Sequence, residues 1–110
     1  MKRLFSTWTL AGLGLSLGLV ALVNAQTQDA PTLQVRSLAA TCASCHGTAG
    51  RAVEGAAVPG LAGVPAAYMV EQMKAFKSGT RTATVMHQIS KGYSDTQIDR
   101  LAAYFAAQKK

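Results

Sequence analysis

Cysteine is scarce in this chain, at two of 110 residues, and acidic side chains are scarce too, with five against eleven lysines and arginines. Two cysteines leave room for a single cysteine-based motif. The basic excess, formally +6, is scattered over isolated residues such as Arg36, Arg51, Lys74 and Arg100. No dense basic run exists, so the chain lacks the footprint of a nucleic-acid binder. Convincing strand patterns and internal repeats are missing. The glycine-rich stretch follows no strand and lacks GxGxxG spacing, which excludes a dinucleotide fingerprint. What remains is an all-α class.

What is present begins with an export signal. Lys2 and Arg3 precede an apolar run over residues 10–23, and Val23-Asn24-Ala25 supplies the small-x-small pattern of a cleavage site. The uncharged stretch over residues 4–23 is only marginally long enough for a membrane anchor, and polar Gln26 follows directly. The expectation is a signal peptide over 1–25, a linker over 26–31 and one domain over 32–110. That domain would be periplasmic, with no membrane span in the mature protein. Lys2 and Arg3 account for two of the six net charges, so the mature domain is mildly basic and suits acidic partner surfaces at most. A domain this short buries little apolar surface and needs a staple such as a disulfide, metal or cofactor.

Three helical segments are expected. From Thr32, the residues Val35, Leu38, Cys42 and Cys45 fall on one stripe, which turns both cysteines toward the interior. Residues 47–64 carry five glycines and Pro59, and read as a long loop. Loops of that length need a reason, and wrapping a flat cofactor is one. The second helix starts near Pro65 and stops at Gly79, with Met69, Met73 and Phe76 on one face. The third has the clearest start, a capping box at Ser94-Asp95-Thr96-Gln97, with Ile98, Leu101, Ala102 and Phe105 as its apolar stripe. Asp95 and Asp99 near its start and Lys109 and Lys110 at its end suit the helix dipole.

Both cysteines lie in Cys42-Ala43-Ser44-Cys45-His46. CxxCH is the attachment signature of c-type haem. Residues three apart on a helix present two thiols to one porphyrin edge, and the next residue can offer Nε2 to the iron. A thioredoxin-like pair would need a βαβ context that is missing here. A zinc site would need adjacent Cys45 and His46 on one tetrahedral ion, with His87 completing it, an awkward geometry. A Cys42–Cys45 disulfide would close too small a loop to stabilise much. One covalent haem c is the reading that remains.

A sixth ligand decides what the iron does. Met69 and Met73 stand in an apolar stripe, where methionine is commonly core filler. Met86 lies between two expected helices and can bring a thioether to the face opposite His46. His/Met ligation raises the potential and closes both axial positions, which favours electron transfer. His87 is the rival, and would give bis-His iron. Pro59 suits packing against the proximal histidine or simply breaks the loop. Tyr68 suits a propionate contact or core filling.

As a set, Cys42 to His46, Pro59-Gly60-Leu61-Ala62-Gly63, Pro65-Ala66-Ala67-Tyr68 and Leu101-Ala102-Ala103-Tyr104-Phe105 resemble class I cytochromes c, of the c4, c5 and c553 groups. The likeness covers residues 32–108 and implies a helical haem-c fold with His46 proximal and Met86 distal. The segment 84–94, through Met86, Ile89 and Lys91-Gly92-Tyr93, is similar to the Met-ligand region of the cytochrome subunit of flavocytochrome c sulfide dehydrogenase. That resemblance implies redox partner proteins, with a flavoprotein subunit oxidising sulfide and passing electrons to the haem. Some of those cytochrome subunits carry two haems, whereas this chain has a single CxxCH. The alternative is a free periplasmic carrier between a respiratory complex and a terminal oxidase. A haem enzyme or gas sensor would need an open axial position, which a bound Met86 closes.

Overall fold

A computed structural model describes residues 30–110, so the expected signal peptide and the first four linker residues lie outside the described residues. The domain occupies Leu33–Lys110, and the described residues form helices and turns with no strand. Its first helix, α1, runs Ala30–Ala40. It already includes Ala30 and Pro31, ahead of the expected start at Thr32. At the end of α1 the backbone bonds tighten, with Thr41 N–H on Leu38 and Cys42 N–H on Ala39, and the Thr41 hydroxyl also donates to the Leu38 carbonyl at 2.7 Å. A one-turn helix, α2 (Ala43–His46), follows, then a 3-10 turn over Thr48–Gly50 and a loop to Pro65.

α3 spans Ala66–Ser78, with Pro65 at its N-cap. Gly79 ends it in the left-handed conformation at φ 82°, its N–H reaching the Phe76 carbonyl. α4 is a single turn, Met86–Ile89, running into a second 3-10 turn over Ser90–Gly92. α5 spans Asp95–Ala106 behind the expected capping box. The Ser94 N–H donates to Gln97 Oε1 at 2.8 Å, and the Gln97 N–H donates to Ser94 Oγ at 3.2 Å. Lys109 and Lys110 lie beyond the helix end, and the Lys109 carbonyl instead accepts from Arg51 Nε at 2.8 Å.

α3 packs against α5, α4 and the second 3-10 turn. The core is Ala39 of α1, Met69 of α3, and Leu101, Ala102 and Phe105 of α5. The expected α5 stripe is thus buried, and Met69 is the inward member of the α3 face. Phe76, on that same face, is half-buried and stacks beneath the Arg81 guanidinium, 4.5 Å from its ring centre. The long loop is folded back on itself. The Gly50 carbonyl accepts the N–H groups of Leu61 and Ala62, and the Gly63 N–H reaches the Phe105 carbonyl at 2.9 Å. These bonds bring Pro59 and Gly60 beside the CxxCH turn.

Candidate haem-attachment site

The CxxCH turn is helical by its hydrogen bonds: the His46 N–H reaches the Cys42 carbonyl at 3.0 Å, and the Gly47 N–H reaches Ala43 at 3.0 Å. Gly47 then leaves the helix at φ 83°, where a Cβ would overlap the Arg51 carbonyl. The two cysteines sit one turn apart, but they do not share the interior stripe expected from the sequence. Cys42 is half-buried and Cys45 is exposed. The reason is the break at Thr41 and Cys42, which resets the helical phase between α1 and α2. Ala39 and His46 become the inward residues instead. Burial pushes the Cys42 thiol above its ordinary pKa, opposed by a contact with the Thr41 hydroxyl.

His46 is buried, at 9% exposure. Its Nδ1 lies 2.7 Å from the Pro59 carbonyl oxygen. A carbonyl can only accept, so Nδ1 carries a proton in this contact, and Nε2 is the nitrogen left to meet a metal. A hydrogen bond of this kind selects the tautomer and orients the ring of a metal-ligating histidine. Pro59 therefore contributes a backbone oxygen, whereas the sequence suggested ring packing or a simple loop break. Tyr68 is 52% exposed and does not fill the core.

Met86 lies between α3 and α5, as expected, and opens the one-turn α4. The Val85 carbonyl accepts from the N–H groups of Gln88 and Ile89, and the Ser90 hydroxyl donates to the Met86 carbonyl at 2.7 Å. Met86 is half-buried, as is His87. The Nδ1 atom of His87 is enclosed without a hydrogen-bond partner.

The residues present suit a haem. Two thiols lie one helical turn apart, next to an imidazole whose Nδ1 faces a backbone carbonyl, and a thioether is available at Met86, a donor set matched to haem iron. The polypeptide encloses few apolar side chains for its length. The buried ones are Ala39, Ala62, Met69, Ile98, Leu101, Ala102 and Phe105, three of them alanines. Val53, Val85 and Ile89 stay exposed at 78%, 53% and 43%. A flat apolar group is what such a polypeptide needs to complete its packing.

This small helical fold around a CxxCH turn defines the class. The cytochrome c family model matches residues 35–109, and the chain belongs to that family. It is a cytochrome c electron-transfer protein, and the family implies a covalently attached haem c. Among similar proteins, the thiosulfate dehydrogenase electron acceptor of Stutzerimonas stutzeri is 33% identical, over 91% of this chain and 47% of that protein. The cytochrome subunit of sulfide dehydrogenase of Chlorobaculum tepidum is 37% identical, over 66% of this chain and 64% of that protein. Cytochrome c-554(548) of Halomonas halodenitrificans is 36% identical, over 63% of this chain and 86% of that protein. The chain thus spans half or less of the longer relatives it matches, such as the Stutzerimonas acceptor.

Proposed function

We propose that the chain is an exported one-haem acceptor of electrons from a dehydrogenase of inorganic sulfur compounds, with a flavoprotein sulfide dehydrogenase as the donor. Cys42 and Cys45 hold the haem as thioethers, His46 gives Nε2 to the iron and Met86 gives its sulfur. The observation that carries this is the 2.7 Å contact from His46 Nδ1 to the Pro59 carbonyl, which orients the ring and reserves Nε2 for a metal. Bound haem supplies one-electron chemistry between ferric and ferrous iron. With His46 and Met86 both committed to holding the haem, the site would leave no open position for a small substrate, and the domain would serve docked redox partners. Lys2, Arg3 and the apolar run to Ala25 serve as the export signal, and the protein acts in the periplasm. Among the described residues no helix is long and apolar enough to cross a membrane.

The sulfur assignment rests on the segment 84–94 and on the printed names of the sulfide and thiosulfate dehydrogenase relatives. The domain offers no sulfide chemistry of its own. Both cysteines are consumed by haem attachment, and no other cluster of metal-ligating side chains exists among the described residues. The second reading, a free carrier, is favoured by the fit to the Halomonas cytochrome, of which 86% is covered.

Stopped-flow reduction of the ferric holoprotein by sulfide, with and without the flavoprotein of the same organism, separates the two. Fast reduction only with the flavoprotein is expected. Equal rates, or two proteins that fail to associate, would leave the free carrier standing.

A further inference from the structure

We infer that Thr41, Tyr93 and Ser90 form a hydrogen-bonded latch that positions the Met86 turn against the end of α1. The inference rests on the Met86 ligation proposed above and names residues that act through it. No residue of Met86–Ile89 is buried. Within the polypeptide the turn packs on α3, and polar bonds from the end of α1 add to its placement.

Those bonds form a connected series. The Tyr93 phenol oxygen lies 2.9 Å from Thr41 Oγ1. The Thr41 hydroxyl has one hydrogen, which goes to the Leu38 carbonyl at 2.7 Å, so the phenol is the donor between the two. Thr41 is the residue before Cys42, so Tyr93 is tied to the attachment turn itself. From Tyr93 the backbone N–H reaches the Ser90 carbonyl at 3.2 Å. Ser90 is fully buried and its hydroxyl holds the Met86 carbonyl at 2.7 Å. Lys77 of α3 fixes the other side of Tyr93, donating to its carbonyl at 2.8 Å. Met86 thus follows Tyr93, and Tyr93 follows the CxxCH turn. Breaking the Tyr93–Thr41 bond frees the Met86 turn to swing while the rest of the fold keeps its packing.

Exogenous imidazole reads the swing directly, because it binds ferric iron only when the methionine has left. Its apparent affinity scales with the fraction of molecules in the open form. Tyr93→Phe removes one hydroxyl, and the loss of one such hydrogen bond raises the open fraction about fivefold. Imidazole should therefore bind the holoprotein about fivefold more tightly, as titrated by the haem absorbance. Thr41→Val should do the same and Thr41→Ser should restore the wild-type value. The double variant Thr41→Val/Tyr93→Phe should match Thr41→Val alone, since the valine has already removed the acceptor of the Tyr93 phenol. In a Met86→Ala background imidazole should bind tightly, and Tyr93→Phe should add nothing. Wild-type imidazole affinity in Tyr93→Phe, with Met86→Ala binding more tightly, would overturn the latch and keep the ligand. Unchanged affinity in Met86→Ala would overturn both.

Discussion

Phe105 is the largest fully enclosed side chain of the domain, and truncating it tests how the core and the haem-side loop depend on each other. Its ring meets Tyr104 edge-on, with centroids 5.1 Å apart and planes at 79°. Its Cδ1 lies so near Gly50 that a Cβ there would come within 2.9 Å. Its carbonyl receives the N–H of Gly63, at the far end of the same loop. Phe105→Ala removes the buried ring and leaves a cavity, at a cost of about 3–5 kcal/mol. The edge-to-face contact accounts for about 0.5–1.5 kcal/mol of that. Small domains hold about 5–15 kcal/mol in total, so the loss is a large share. Guanidinium unfolding of the holoprotein, followed by far-UV circular dichroism and by haem absorbance, should show a lower midpoint at an unchanged slope. Hydrogen exchange should quicken first at Leu61 and Ala62, whose amides are bonded to the Gly50 carbonyl. A loss below about 1 kcal/mol, or loop amides as protected as before, would refute the claim that the loop is seated on Phe105.

Met86→Ala should abolish the long-wavelength charge-transfer band of methionine-ligated ferric haem and lower the potential. His87→Ala should leave the band in place, and the reverse result would make the iron bis-His. Asp95 gives a pH-dependent prediction. Lys77, at 2.9 Å, and then Lys74, at 3.9 Å, hold its carboxyl below the ordinary carboxylate value. A depressed value means stability that is present above the ordinary pKa and lost as pH falls through the lowered one. Asp95→Asn should therefore be less stable than wild type at neutral pH, with the gap closing below about pH 4. A gap that persists in acid would show that the ion pairs are not its cause.

Features encoded within one turn of chain were legible from the sequence. The capping box at Ser94 and Gln97 is two local hydrogen bonds, and the stripe from Ile98 to Phe105 repeats with the helix period, so both could be read and both are present. The glycine at position 79 marked a helix end for the same local reason. The stripe drawn through Leu38 and Cys45 failed because periodicity assumes one continuous helix. At Thr41 and Cys42 the backbone bonds tighten to residues three back, a change of pitch that a hydropathy pattern does not register. Pro59 was visible as a residue, but its contribution is a carbonyl oxygen, and every residue has one. The Tyr93–Thr41 bond joins positions 52 apart, and no spacing rule connects them.

These differences make the two sides of the haem site unequal. On the His46 side the partner of Nδ1 is a backbone oxygen, in a loop pinned by the Gly50 carbonyl and by the Phe105 carbonyl. No single side-chain truncation removes that acceptor, and the imidazole itself is buried. On the Met86 side the turn is tied by the hydroxyls of Ser90, Tyr93 and Thr41. Each net hydrogen bond there is worth only about 1 kcal/mol. If His46 and Met86 are the ligands, as proposed above, a bond between iron and the thioether would open at lower cost than the bond to His46. Heat, denaturant or a competing ligand should displace methionine first while His46 stays bound. The order of events at the iron is then set by which ligand the polypeptide holds with its backbone and which with its side chains.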